Sequence, residues 1–515
     1  MATQTMGTRR EISMLVVLSL SVSAVLLGTT ILNVALPELR IELETNNTQQ
    51  QWILNAYTLT FAGFLLVAGA IGDRYGLRRT LLSGLAGFSI TTTVAAFAQG
   101  PGLLIVMRGL SGVFAAAIMP ISLAVIVRTF SKERVPGAVA AWAASSGLAI
   151  ALGPLLGGAF LSAGMWWGSV LLVVSAGAFL AFLGVILTVP ETGKSPTSGQ
   201  ALRLAPVATS IAGIALLVWG VLRGGQDSEW LAAHTLLPII TGVIVLGGLV
   251  AAETRHKNPL VETELFKRPQ FTCAVVALTL GTFAVYGYLY FTTFYLQVQR
   301  GFSPIQTGLL LIPLSAGVVI GGPISRKIAE ILGALETMAA GMLLVALSLA
   351  LLLTQDMRSN IAYWEILTFT TAFGFALVLA PGTTAAMAGV PAAHAGAGSA
   401  LLNTFRQLGS ALGVAVLGSI LWSRYQSGVR PQLSELSWQE KDLAGSSLAA
   451  ALEAGAGRPS VLDGANQSFT SAMHFASATA AGVAALAAIV TLTFSIAIRR
   501  RDRQSGALID VNSPR

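Results

Sequence analysis

The chain has 515 residues, of which 54% are hydrophobic and only 10% charged, a composition too apolar for a water-soluble fold of this length and suited to a bilayer. A single cysteine, Cys273, excludes an internal disulfide or a cysteine-based metal cluster, and the four histidines, at 234, 256, 394 and 474, are too scattered to form a metal site. The net charge of +8 would suit a nucleic acid only if it were concentrated on a soluble face, and it is not.

Apolar runs of about 20 residues between turn and charge signals predict fourteen membrane spans. They fall near 12–36, 52–70, 80–98, 102–127, 137–162, 168–189, 206–222, 234–252, 271–297, 305–325, 333–354, 361–388, 399–423 and 469–498. The first follows Arg9 and Arg10, outruns a signal-peptide core and is expected to be retained. An even count puts both termini on one side. Assigning them to the cytoplasm places 21 Lys/Arg inside and 8 outside, so the positive charge follows topology and not nucleic acid.

The first span carries LLGTTILNVALP, with Gly28 and Asn33, and the second opens with WILNAY, which includes Tyr57. Between the second and third lies GAIGDRYGLRRTLL. There an acid among arginines, Asp73 with Arg74, Arg78 and Arg79, can serve as a charge latch, while Gly69, Gly72 and Gly76 allow close approach and turning. The fourth span holds Arg108, about 10 Å from its outer end, where a guanidinium needs a cavity or partners. The fifth carries Gly153, Pro154, Gly157 and Gly158, a small-residue face beside a proline kink. The ninth is rich in aromatics, and Phe283, Tyr286, Tyr290 and Phe294 are candidates for stacking on a large apolar or cationic substrate as well as for ordinary belt packing. Arg406 in the thirteenth is a second buried cation. The segment 424–468 is a long outer loop whose QLSELSWQEKDL reads as a surface amphipathic helix.

Two six-helix sets separated by one helix pair suggest an internal repeat, and GAIGDR at Gly69–Arg74 echoes GPISRK at Gly322–Lys327. The expected organisation is a first half over 1–190, a linker with two extra helices over 191–255, a second half over 256–499 and a tail over 500–515.

These motifs together resemble the fourteen-helix drug:proton antiporters of the major facilitator superfamily. The Gly69–Leu82 stretch is similar to the superfamily's signature loop, with Leu77 where many members have a basic residue. The helix-4 stretch around Arg108 is similar to RxxxG, with Ser111 in place of the usual glutamine, and Gly153–Gly158 matches the GPxxGG motif of exporters. Tyr295–Pro313 and Ser399–Gly418 resemble the same family. The resemblance implies an all-helical integral membrane fold of the bacterial cytoplasmic membrane, active as a monomer, with protons and a small molecule as partners. It also implies a gating latch of Gly69, Asp73, Arg74, Gly76, Arg78 and Arg79. Coupling or cavity residues would be Gly28, Asn33, Tyr57, Arg108 and Arg406. No phosphate-binding loop or enzyme constellation occurs, so the expected energy source is the proton gradient, without cofactor.

In that family, the residue aligned with Gly28 is commonly Asp, within DxTxxNxALP. Here Thr30, Asn33, Ala35, Leu36 and Pro37 remain without the acid, and no other acid lies in mid-span. Three readings stay open: a proton-coupled exporter using Asp73, His474 or the substrate's own proton; an exporter of anionic or neutral compounds with altered coupling; or a coupling-deficient variant in which Gly28 replaces an acid.

Overall fold

A computed structural model describes residues 8–131, 134–191, 204–227, 229–256, 263–388, 390, 395–434 and 436–511. The side chains of several residues within helices, among them Gly69, Asp73 and Arg74, lie outside the described set. Among the described residues there is no strand. The first half comprises α1 (Thr8–Thr30), the short α2 (Leu36–Glu42), α3 (Asn47–Tyr75), α4 (Leu77–Ala96), α5 (Pro101–Thr129), α6 (Val135–Ser162) and α7 (Ser169–Thr188). Helices α8 (Leu204–Asp227) and α9 (Ala233–Thr254) follow. The second half comprises α10 (Pro269–Thr293), extended by a π-helical turn Phe294–Gln299, then α11 (Pro304–Leu310), α12 (Ile312–Leu332), α13 (Ala334–Leu351), α14 (Ile361–Ala388) and α15 (Ala395–Val429). Two short helices, α16 (Trp438–Ser446) and α17 (Leu448–Ala454), lead into α18 (Pro459–Val511).

A helix overlaps each of the predicted spans. Among the described residues, eleven segments are long and apolar enough to cross a membrane by length and composition. The tenth predicted span is broken at Leu311 into α11 and α12, where Pro313 opens the second piece. The last is far longer than its apolar core because charged residues continue the helical pattern after Arg499.

Helix starts follow local chemistry. Asn46 and Gln49 form a reciprocal capping box at the head of α3, Ser303 and Gln306 at α11, and Ser437 and Glu440 at α16. Proline occupies the first turn of α5, α10 and α11, where its missing N–H costs nothing. Large apolar side chains such as Ile90, Leu187 and Ile244 remain exposed on the outer faces, as bilayer contact requires.

The two halves repeat the same packing. In the first, α1 packs on α5, α6 and α7, α5 packs on α3 and α4, and α4 on α7; in the second, α10 packs on α14, α15 and α18, α14 on α12 and α13, and α13 on α18. Across the seam α3 meets α15 and α6 meets α11 and α12, while α8 rests on α3 and α15. The turns between paired helices carry the repeat at atomic detail. Gly76 (φ 95°) separates α3 from α4 and Gly333 (φ 104°) separates α12 from α13, both in the left-handed region that suits glycine. Four residues on, Thr80 and Thr337 each donate a hydroxyl bond to that glycine's carbonyl, at 3.0 and 2.8 Å. This register corrects the echo read from GAIGDR and GPISRK, which pairs Gly69 with Gly322. The structural match is Gly76 with Gly333, which makes the offset between the halves four residues, about one helical turn, longer than the echo implies, because turn geometry and not shared Gly and Ile sets the correspondence.

Candidate functional site

The bundle has two ends. The terminal end holds the start of α1 and the end of α18, and the opposite, cap end holds α2, α16 and α17. Near the middle of the first half, Arg108 on α5 is 2% exposed. Its Nη2 donates to the Gly28 carbonyl at 2.9 Å and its Nε to the Ile53 carbonyl at 3.2 Å. The guanidinium carbon lies 4.3 Å from the Tyr57 ring centroid, and the Tyr57 hydroxyl donates to the Val25 carbonyl at 2.9 Å. One buried cation thus ties α5 to α1 and α3 through carbonyls and a ring face, with no carboxylate partner among the described residues. Asn33 is also turned inward, its amide donating to the Thr30 carbonyl at 3.1 Å.

Gly28 is drawn into this cluster by its backbone. A Cβ there would meet Phe88 Cζ at 3.5 Å, Val174 Cγ1 at 3.6 Å and Tyr57 Oη at 3.9 Å. A side chain at 28 therefore enters the interior of the first half, among α3, α4 and α7. Beside it runs a hydroxyl network that sequence reading missed: Ser175 lies 2.9 Å from Ser89 and 2.6 Å from Thr93, and Ser111 donates to Met107 O at 2.8 Å.

The glycines of α6 face two partners. A Cβ at Gly157 would stand 3.0 Å from the Ile31 carbonyl oxygen, and one at Gly153 would collide with Thr30. On the other side Gly158 abuts the Pro304 backbone, and a Cβ at Gly308 would lie 2.8 Å from the Pro154 carbonyl oxygen. Helix α6 is thereby pressed between α1 of its own half and α11 of the other. The repeat recurs in α15, where Gly409 abuts the Thr279 backbone and Gly413 that of Phe283 on α10.

Cap-end contacts join the halves further. Ile305 N–H donates to Ser162 Oγ at 2.8 Å and Gln297 Nε2 to Val34 O at 2.9 Å. The Ser446 carbonyl of α16 accepts from Arg40 at 3.3 Å and from Asn47 at 2.8 Å. The outer loop that reads as a surface amphipathic helix thus also straps the halves together, and Arg40 is a residue that carries no motif. At the terminal end, Arg78 pairs with Glu191 at 2.9 Å and donates to Ile186 O, linking α4 to the end of α7. The second half reverses the signs: Glu336 at the start of α13 pairs with Arg499 of α18 at 2.5 Å and accepts from Ser495. Arg79 is exposed. Asp73, Arg74 and Gly69 of the expected latch lie outside the described residues, so only Gly76, Arg78 and Arg79 are placed.

A family model described as Major Facilitator Superfamily matches residues 18–414. The chain belongs to the major facilitator superfamily. It is 30% identical over 93% of its length to the tetracenomycin C resistance and export protein of Streptomyces glaucescens, covering 90% of that protein. It is 32% identical over 93% of its length to the multidrug efflux pump LfrA of Mycolicibacterium smegmatis, covering 95% of it. Among solved structures it is similar to a bacterial homologue of the human lysosomal transporter Spinster in an inward-facing conformation, with a TM-score of 0.64 at 18% identity, covering 95% of this chain and 99% of that one. These findings agree with the family resemblance, and they make this a transporter-family protein of a bacterial cytoplasmic membrane.

Within that superfamily fold, the aromatic candidates separate into two groups. Tyr290 and Phe294 are 0% and 2% exposed, locked with Trp422, Tyr425 and Phe469 in a cluster in which Trp422 Nε1 donates to Tyr290 Oη at 3.0 Å. They are packed and not available to a substrate in this conformation. Phe283 and Tyr286 are only partly buried, and Tyr286 faces Thr29 of α1 and Arg406 of α15. Arg406 itself is half-buried on α15. His474 shares its Nε2 with the Gln355 carbonyl at 2.7 Å, an ordinary tie between α18 and the segment after α13.

Proposed function

We propose that this protein is a secondary active exporter of lipophilic small molecules, including drugs or antibiotics, driven by the proton gradient through alternating access. In this reading it crosses the membrane fourteen times with both termini in the cytoplasm, so the cap end faces outward. The observation that carries the proposal is the seam at the cap end, where α6 presents backbone to α1 on one face and to α11 of the other half on the opposite face. Such a contact closes the outer side while the halves stay separate bodies with repeated packing. Opening outward requires α6 and α11 to part, and helices that meet through glycine backbone can part without dragging long side chains.

The nature of the cargo is supported by the relatives. Besides the two described above, the chain is 32% identical over 80% of its length to the puromycin resistance protein of Streptomyces alboniger and 30% identical over 95% to the methyl viologen resistance protein of Salmonella typhimurium. The latch of Asp73, Arg74, Arg78 and Arg79 would hold the inner gate. Efflux of ethidium from cells producing the chain, with and without a protonophore, tests the proposal. Gradient-dependent efflux above that of empty cells is expected; equal efflux with the protein present in the membrane would refute it.

A further inference from the structure

Arg108 and Arg406 are both cations within the bundle, but their surroundings differ. Arg108 is satisfied by two carbonyls and a ring. Among the described residues, Arg406 has one hydrogen bond, from Nη1 to Asn403 Oδ1 at 3.2 Å, and its buried Nε has no partner. Among the described residues, Arg406 enters no ion pair. An unmatched guanidinium N–H inside a membrane protein is a cost that a fold retains for a reason.

The surroundings give that reason a shape. Arg406 is held in place from behind, since its carbonyl accepts the Thr282 hydroxyl at 2.9 Å and the next turn of α15 is clamped to α10 by Gly409. Its neighbour Thr404 donates to Ala62 O of α3 at 3.0 Å, so the residue stands where the two halves meet. Tyr286 faces it from α10, beside Thr29 of the first half. A fixed arginine with a free Nε, within electrostatic reach of the Tyr286 hydroxyl, is arranged to take a planar anionic group side-on through Nε and a neighbouring Nη.

We propose that Arg406 is the anion subsite of the transport cavity, taking a carboxylate or phenolate of an aromatic cargo, with Tyr286 against the cargo's ring. This rests on the exporter reading and names the chemistry of what is exported. A cargo bringing its own acidic group also removes the need for a carboxylate at position 28.

The test uses the full chain in everted vesicles with two probes, fluorescein as an aromatic anion and ethidium as an aromatic cation, plus fluorescein anisotropy with the purified protein. Arg406→Gln should lower fluorescein transport and binding by about tenfold or more, the loss of one charge-assisted bidentate contact, while ethidium transport changes less than about twofold. Arg406→Lys should recover part of the fluorescein signal. Equal loss of both probes would mean that Arg406 only supports the frame, and would overturn the proposal. Transport of ethidium without transport or binding of fluorescein would overturn it and leave the exporter reading standing. Transport of neither probe would remove both. If replacing chloride with gluconate reproduces the Arg406→Gln effect in the parent protein, the subsite holds an inorganic ion and the cargo assignment falls.

Discussion

Replacing Arg108 by methionine tests whether that cation frames the first half or works directly on cargo and protons. The substitution keeps much of the apolar stem but removes the donors to Gly28 O and Ile53 O, at 2.9 and 3.2 Å, and the charge 4.3 Å from the Tyr57 ring. Each charge-assisted bond contributes about 1.5–3 kcal/mol, and a desolvated cation–π contact about 2 kcal/mol. Against these stands the cost of burying the guanidinium, several kcal/mol, which the variant no longer bears. Since two helical carbonyls then lose their second, charge-assisted donor inside the bundle, the net loss is about 2–4 kcal/mol. For a body the size of one half, that lowers the unfolding midpoint by roughly 5–15 °C. The assay is thermal unfolding of purified protein in detergent, followed by tryptophan fluorescence. Arg108→Lys, which keeps charge but not the fork, should fall between parent and methionine variant. A methionine variant that melts with the parent yet has lost transport would refute the framing role and return Arg108 to the cavity.

Other consequences follow from single contacts. Gly28→Asp should be accommodated sterically, because its Cβ meets neighbours only at ordinary distances of 3.5–3.9 Å; its carboxylate should engage Tyr57 and Arg108 and add a pH dependence to ethidium efflux, and a profile identical to the parent's would exclude that pairing. Gly76→Ala should destabilise by about 1–3 kcal/mol, the cost of positive-φ extended backbone for a residue with a Cβ, and Gly333→Ala by at least as much because its Cβ would also crowd the Glu336 carboxylate; an unchanged melting point for either would contradict the turn geometry. Replacing Gly158 by leucine should stop ethidium efflux while leaving the protein in the membrane, since Pro304 backbone occupies the space; full efflux would show that the α6–α11 seam is not a moving part. Glu440 is held below the usual carboxylate range, first by its hydrogen bonds with Ser437 and then by Arg458. A depressed value means that its contribution is present at neutral pH and is lost as pH falls from the ordinary glutamate range through the lower folded value. Hydrogen exchange in the first turn of α16 should therefore rise on acidification through that window, and a rate without pH dependence beyond the intrinsic one would contradict this.

Much of this architecture is legible in the sequence because a bilayer leaves few choices: apolar runs of spanning length must be helices. The glycines of α6 are legible for a similar reason, since small residues at helical spacing mark a close crossing. What they cross is not legible, because Ile31 and Pro304 lie far away in the chain. The same limit separates Tyr286 from Tyr290. Both belong to one aromatic run, and only Trp422 and Phe469, brought in by α15 and α18, determine that Tyr290 is packed away. Gly28 shows the point most directly. Its depth follows from counting residues along a helix, but the direction of its missing side chain, toward Phe88 and Val174 and away from the seam, depends on how α1 is rotated against α4 and α7. Arg40 carries no motif, and its bond to Ser446 spans about four hundred residues of chain.

The central claim, that the halves alternate about the cap-end seam, is tested most directly by cross-linking it. Cysteines introduced at Ser162 and Ile305, whose side-chain oxygen and backbone nitrogen lie 2.8 Å apart, can be joined by a flexible bis-methanethiosulfonate linker in a chain whose native Cys273 is buried. Bridging should abolish ethidium efflux, and reduction should restore it. Full efflux from the bridged protein would contradict the account.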